Sequence, residues 1–155
     1  MLGRTNRQRR QEYLMNVLLV DDEVAFVEAL ARRLTRKNMT VHTVHNGPEA
    51  LDFLRKNPSV DAVVLDVVMP GPDGLKVQEI IRKEFPLVEV IMLSGNSTTA
   101  MAVQGMKQGA FDYLSKPCST EELIEKLHEA KRRRDTYCEE LAALKAGDIV
   151  LRRGD

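Results

Sequence analysis

Short apolar runs alternate with amphipathic segments along most of this 155-residue chain. The runs are rich in β-branched residues and several are apolar at successive positions, which is typical of strands covered on both faces. They predict five strands, at residues 16–20, 40–44, 60–65, 88–93 and 110–114. The segments between the strands repeat apolar residues every three or four positions, as amphipathic helices do. The alternation predicts an α/β fold, a doubly wound (βα)5 domain.

The last predicted helix, residues 119–146, is longer than such a domain needs. Ser119-x-x-Glu122 is a capping-box pattern that predicts its start, and Gly147 predicts its end. Its apolar stripe has heptad spacing and is interrupted by one arginine: Leu123, Leu127, Ala130, Arg134, Tyr137, Leu141 and Leu144. Two interpretations stay open, a solvated tail after the part that packs on the sheet, or a pairing helix that makes a homodimer.

Charge is balanced overall, with 23 basic and 23 acidic residues, but it is unevenly placed. We expect a basic N-terminal extension at 1–15, a mildly acidic domain at 16–130 and a helical extension or linker at 131–155. A mildly acidic body with basic ends does not indicate a nucleic-acid-binding surface. The apolar stretch after the basic start is too short for export or for a membrane span, and the two cysteines form no metal or disulfide pattern, so we expect a cytoplasmic protein.

Four of the predicted strands end at or shortly before a polar group suited to phosphate or metal chemistry. These groups are the Asp21-Asp22 pair, Asp66, Ser94 and Lys116. In an open parallel sheet they leave from the same carboxyl edge, which is where ligands bind. Three clustered carboxylates repel one another unless a cation lies among them, and Mg²⁺ prefers such oxygen ligands. An aspartate beside the metal can be a nucleophile toward phosphorus, with a hydroxyl and an ammonium stabilising the added charge.

Each of these residues also has a simpler explanation when taken alone. Asp22 could cap the first helix, Asp66 could belong to an ordinary turn, and Ser94 could cap the helix that follows it. Lys116 could be a solvated lysine at the end of a strand. The four together at one sheet edge favour a site.

The residues around these positions resemble a known family. Four segments carry the resemblance: 21–23 (DDE), 66–74 (DVVMPGPDG), 94–95 (SG) and 109–117 (GAFDYLSKP). Together they are similar to the receiver domain of bacterial two-component response regulators, over about residues 16–130. The stretch from Ser94 to Pro117 is most similar to receivers that precede sigma-54-dependent activator domains. The resemblance implies a flavodoxin-like sheet with strand order 2-1-3-4-5.

The same resemblance implies a role for individual residues. Asp66 matches the phosphoacceptor. Asp22 matches a direct Mg²⁺ ligand, Asp21 a ligand through water, and the backbone carbonyl of Val68 a further ligand. Four further residues match positions with known roles: Ser94 matches the switch hydroxyl, Lys116 the lysine that pairs with the phosphoryl group, Tyr113 the aromatic that changes rotamer, and Pro117 a cis-proline.

Two further positions match those that set the rate of dephosphorylation, Val68 and Asn96. Because valine offers no hydrogen bond to water, we expect slow loss of the phosphoryl group. The function implied is a phosphorylation-activated switch rather than an enzyme with a separate substrate. A histidine kinase or phosphotransfer protein would supply the phosphoryl group, and the surface of the fourth helix, fifth strand and fifth helix would regulate an output protein or domain.

Two other classes of function stay open on the residues alone. A Mg²⁺-dependent small-molecule phosphatase also forms an aspartyl phosphate, but it would need a second aspartate where Val68 stands and a segment that covers the substrate. A nucleotide or flavin module of similar topology would need a glycine-rich phosphate loop after the first strand, where this chain has Asp-Asp-Glu.

Overall fold

Strands and helices alternate along the chain, as the sequence predicts. The computed structural model describes residues 3, 5, 14–69, 74–95 and 98–147. Five strands are described: β1 Asn16–Val20, β2 Thr40–Val44, β3 Ala62–Leu65, β4 Glu89–Ser94 and β5 Asp112–Ser115. The helices between and after them are α1 Val24–Arg36, α2 Gly47–Lys56, α3 Gly74–Glu84, α4 Thr99–Lys107 and α5 Thr120–Lys145.

The strands form one parallel sheet with the order β2-β1-β3-β4-β5. The predicted fold class and strand order are therefore confirmed. The predicted strand boundaries differ from the observed ones by at most two residues. The largest differences are at the starts of β3 and β5, which begin at Ala62 and Asp112 rather than at residues 60 and 110. Ser94 is the last residue of β4 rather than the residue after it.

Apolar side chains alternate between the two faces of the sheet. From β1, Val17 and Leu19 join the core that α1 and α5 cover, whereas Leu18 and Val20 join the core that α2 and α3 cover. All four are at most 1% exposed. Both faces of the central strands are therefore covered by apolar side chains. A polar site can form only where the strands end, at the carboxyl edge or the amino edge of the sheet.

The close packing of α3 against the loop after β3 requires a glycine. A Cβ atom on Gly74 would overlap the backbone of Val67. Since Val67 directly follows Asp66, this contact holds the start of α3 against the segment that carries the aspartate.

The long helix α5 is anchored on the opposite, amino edge of the sheet. Lys131 Nζ lies 3.4 Å and Arg134 Nη1 lies 3.1 Å from Asp61 Oδ1, and Arg133 pairs with Glu89. The arginine that interrupts the heptad stripe is thus an ion-pairing residue. Beyond Ala130, α5 contributes no further buried residue in the described part of the chain. Among the described residues, no helix has the length and apolar content that crossing a bilayer needs.

Candidate functional site

The four predicted polar groups meet at the carboxyl edge of the sheet. Asp21 directly follows β1, Asp66 directly follows β3, Ser94 ends β4 and Lys116 directly follows β5. Because all four strands are parallel, their carboxyl ends lie side by side. The strand order β1-β3-β4-β5 then places the carboxylates at one end of this row and the lysine at the other, with side chains that reach across it.

Three carboxylates form the centre of the site. One oxygen atom from each of Asp21, Asp22 and Asp66 lies within 4.8 Å of the others. Asp21 and Asp66 are buried, at 4% and 5% exposure, and Asp22 is exposed. Oxygen donors that converge in this way, with one open side, suit a hard divalent cation that keeps some of its waters. The donor set therefore fits Mg²⁺.

Backbone hydrogen bonds fix the two buried carboxylates. The N–H of Glu23 donates to Asp21 Oδ1 at 2.9 Å, and the N–H of Val68 donates to Asp66 Oδ1 at 2.9 Å. The second oxygen of each carboxylate faces the lysine, with Lys116 Nζ 2.6 Å from Asp21 Oδ2 and 3.6 Å from Asp66 Oδ2. Each aspartate is thus oriented by one oxygen and keeps the other for a charged partner.

Lys116 is a half-buried member of the site and not a solvated lysine. Its side chain is 12% exposed, and its Nζ also lies 3.4 Å from Glu23 Oε1. Burial alone lowers the pKa of Lys116, but the hydrogen bond and charge of Asp21, with the charges of Asp66 and Glu23, raise it above its ordinary value. Lys116 is therefore a permanent positive charge at neutral pH, aimed at the carboxylates.

Among the described residues, the three carboxylates of the cluster carry more negative charge than Lys116 balances. Burial raises the pKa of Asp21 above its ordinary value, and the charge of Asp66 adds to this effect, although Lys116 and the Glu23 N–H oppose it. Charged Asp21 is thus disfavoured in spite of its hydrogen bond to the lysine. A cation bound between the carboxylates would remove that penalty.

The simpler explanation for Asp22 does not hold. The N-cap of α1 is Glu23, and that cap makes no side-chain hydrogen bond. Asp22 therefore does not cap the helix, and its carboxylate stays with the acidic cluster. The matching explanation for Ser94 is also wrong, since Thr98 caps α4 by accepting a hydrogen bond from the Met101 N–H at 3.2 Å.

Ser94 connects the site to β5. It is 2% exposed. Its carbonyl oxygen accepts a hydrogen bond from the Lys116 N–H at 3.1 Å and lies 3.5 Å from the Tyr113 hydroxyl, which donates to it. Tyr113 is half-buried with its hydroxyl turned toward the site. The peptide bond between Lys116 and Pro117 is cis.

The last two predicted positions are Val68 and Asn96, which match residues that set the rate of dephosphorylation. Val68 is 38% exposed, next to the N–H that binds Asp66. Asn96 lies outside the described residues, so its predicted effect on dephosphorylation stays a prediction.

Sequence reasoning missed two residues that contact the lysine. Glu23 enters the sequence analysis only within the DDE segment at 21–23, and no sequence pattern singles out Phe26. The Phe26 ring centroid lies 4.4 Å from Lys116 Nζ. The available signal is their position, because both follow the aspartate pair within four residues.

Comparison with protein families gives a match over most of the domain. Residues 17–128 match the model of the response regulator receiver domain. Among curated relatives, an NtrX-like response regulator of Rickettsia conorii is 39% identical over 112 residues, which are 71% of this chain and 23% of that protein. The response regulator MprA of Mycobacterium avium is 38% identical over 119 residues, 77% of this chain and 52% of MprA. The chain thus spans between about a quarter and about half of these relatives.

Solved structures agree with the sequence matches. A response regulator receiver domain from Clostridium thermocellum superposes with a TM-score of 0.77 at 30% identity, covering 80% of this chain and 99% of that one. NtrX from Brucella abortus superposes with a TM-score of 0.80 at 26% identity, covering 90% of this chain and 31% of NtrX.

Proposed function

This chain belongs to the family of response regulator receiver domains, the phosphorylation-activated switches of two-component signalling, and we propose that Asp66 is the residue that takes the phosphoryl group. The observation that carries the proposal is the buried Asp66 carboxylate, clustered with Asp21 and Asp22 and facing Lys116 Nζ at 3.6 Å. No other described group of carboxylates converges in this way.

Transfer would begin with an oxygen of Asp66 attacking the phosphorus of a phosphohistidine on a histidine kinase or phosphotransfer protein. The new O–P bond forms as the P–N bond breaks, and the imidazole leaves with the electron pair and takes up a proton. Mg²⁺, when bound by Asp21, Asp22, Asp66 and the Val68 carbonyl, supplies positive charge that the chain lacks there. The Val68 N–H holds the Asp66 carboxylate in one orientation throughout.

Two neighbouring groups would respond to the added charge. A phosphoryl group brings about −1.5 to −2 charges to the site. Lys116 would move its hydrogen bond from Asp21 to the phosphoryl oxygens, and the Ser94 hydroxyl would turn toward them. Since the Ser94 carbonyl binds both the Lys116 N–H and the Tyr113 hydroxyl, the change would pass to Tyr113 on β5. The surface of α4, β5 and α5 would then regulate an output protein or a separate output domain.

We place this activity in a cytoplasmic domain at 16–130, between a basic extension at 1–15 and the helical extension at 131–155. Both cysteines, Cys118 and Cys138, are free thiols, which suits a reducing compartment. We expect no membrane or nucleic-acid partner for the domain itself.

The proposal includes a homodimer formed through the second half of α5. Tyr137 continues the heptad stripe and is 48% exposed, and Leu141 and Leu144 follow it on the same stripe. Light scattering should give the mass of a dimer for the full chain and the mass of a monomer for a chain that ends at residue 136. Residue 136 is the right end point because it keeps Arg133 and Arg134, which bind the sheet. The same number of chains per particle in both proteins would remove the case for pairing.

Phosphoryl transfer is tested with acetyl phosphate and Mg²⁺, followed by intact mass spectrometry. We expect one phosphoryl group per chain. No label should appear when Mg²⁺ is chelated before acetyl phosphate is added, and none should appear in Asp66→Asn. Asp61→Asn is the matched control, because Asp61 is equally buried at the other end of β3. Equal labelling of the parent and Asp66→Asn would contradict the proposal.

The phosphatase alternative has no support from the family match. It predicts steady hydrolysis of p-nitrophenyl phosphate over many turnovers. The proposed switch predicts at most a slow release that is limited by the loss of its own phosphoryl group.

A further inference from the structure

An aromatic ring lies against the ammonium group of the site lysine. Phe26, on the first turn of α1, has its ring centroid 4.4 Å from Lys116 Nζ. A cation within about 6 Å of a ring centroid is attracted to the negative face of the ring, more strongly when the pair is removed from water. Lys116 meets that condition, since its side chain is 12% exposed.

Phe26 lies where the apolar core meets the acidic cluster. It packs against the core between α1 and the sheet, and together with Asp21 and Asp66 it lines a small cavity of about 10 Å³. A leucine at this position would also be apolar and would fill much of the same space. Only an aromatic residue adds a negative face toward the ammonium.

The carboxylate partners of Lys116 are unequal. Nζ lies 2.6 Å from Asp21 Oδ2 but 3.6 Å from Asp66 Oδ2. Phosphorylation as proposed above requires Lys116 to exchange the first partner for a group on the second, while Asp21 turns to the cation. A ring contact does not compete for the hydrogen bonds of the lysine, so it can restrict the ammonium before the exchange and lower the cost of ordering it when the phosphoryl group is bound.

We propose that Phe26 is a positioning residue whose ring face keeps the Lys116 ammonium within reach of both Asp21 and Asp66. The inference rests on the proposed function and deepens it, because it assigns a structural reason for the direction of the lysine. It does not make Phe26 a catalytic residue, since the ring touches the lysine and not the phosphoryl group.

The test compares Phe26→Leu, which removes the ring, with Phe26→Tyr, which keeps it. In the ion-free protein, NMR should show the ε-methylene protons of Lys116 shifted upfield by the ring in the parent and in Phe26→Tyr, but not in Phe26→Leu. Affinity for beryllofluoride, a phosphoryl mimic, in the presence of Mg²⁺ should fall about three- to tenfold in Phe26→Leu. Phe26→Tyr should restore it.

A general loss of packing is separated from loss of the ring by Leu30→Val. Leu30 lines the same cavity from the same helix and belongs to the apolar core, so this variant should lose stability but keep beryllofluoride affinity. Unchanged affinity in Phe26→Leu, or an equal loss in Leu30→Val or Phe26→Tyr, would overturn the inference. A parent chain that does not bind beryllofluoride would instead overturn the proposed function, and the Lys116 proton shifts would still report whether the ring holds the ammonium.

Discussion

The two edges of the sheet both carry buried carboxylates, but they differ in how the charge is balanced. At the amino edge, Asp61 and Glu89 are 5% and 7% exposed, and three cations of α5 bind them: Lys131, Arg133 and Arg134. At the carboxyl edge, where Asp21, Asp22 and Asp66 cluster, Lys116 pairs with Asp21 and Asp66 and with the exposed Glu23.

The difference separates a structural ion-pair cluster from a ligand site. Both carboxylate oxygens of Asp61 have partners, because Oδ1 binds Lys131 and Arg134 and Oδ2 accepts a hydrogen bond from the Asn16 N–H at 2.8 Å. At the carboxyl edge, burial raises the pKa of Asp21, and the charge of Asp66 adds to this effect, in spite of the hydrogen bond to Lys116. Buried carboxylates alone therefore do not indicate function. An uncompensated set of them, open on one side, does.

The largest expected effect is on stability at the amino edge. Asp61→Ala should lower the free energy of unfolding by about 3 kcal/mol, because it leaves Lys131 and Arg134 without their buried partner. Urea denaturation measures the change. Glu84→Ala is the control, since its pair with Arg55 is about half exposed and should contribute at most about 1 kcal/mol. Similar losses of unfolding free energy in both variants would show that the buried pairs at the amino edge stabilise the fold no more than an exposed pair does.

Mg²⁺ should stabilise the chain only through the carboxyl edge. At a hundred times its dissociation constant, the ion should raise the free energy of unfolding by about 2.7 kcal/mol, and chelation should reverse this. Asp22→Asn should lose most of the gain, whereas Asp61→Asn should keep it. Thermal unfolding with and without the ion measures both. A gain that survives in Asp22→Asn would place the ion elsewhere.

Burial of Asp21 beside Asp66 also predicts a pH dependence of stability in the absence of Mg²⁺. The raised pKa of Asp21 means that the folded chain binds more protons than the unfolded chain above the ordinary aspartate pKa of about 3.9. Stability should therefore fall as the pH rises from there through the raised pKa. Asp21→Asn removes this component, so its stability relative to the parent should rise through the same window. A difference that does not change with pH would contradict the assignment.

The smallest expected effect concerns timing at the rim of the carboxyl edge. Val68→Asn should shorten the lifetime of the phosphorylated chain several-fold, because an amide offers the attacking water a hydrogen bond that valine does not. Loss of the phosphoryl group after removal of acetyl phosphate, followed by intact mass, measures the rate. An unchanged lifetime would mean that Val68 does not control access of water.

The sheet and the membership of the carboxyl edge could be predicted because both follow from local patterns. Apolar runs locate strands, and parallel strands bring their carboxyl ends together whatever the helices do. The orientation of Asp66 by the Val68 N–H is also local, since the two residues are two apart.

The contacts made across the fold could not be predicted in the same way. The contact between Phe26 and Lys116 depends on the angle at which α1 leaves the sheet. The amino-edge ion pairs join β3 and β4 to a helix about 45 to 70 residues later in the chain, and the sequence shows Arg134 only as a break in an apolar stripe. Only the folded structure shows which carboxylates the cations of α5 bind.

The central claim is that Asp66, and no other buried carboxylate, carries the phosphoryl group. After labelling with acetyl phosphate and Mg²⁺, borohydride reduces an acyl phosphate and converts its aspartate to homoserine, which peptide mapping locates. We predict conversion at Asp66 alone, with Asp21, Asp22 and Asp61 unchanged. Conversion at one of those residues, or none at Asp66 in a chain that has gained a phosphoryl group, would contradict the account.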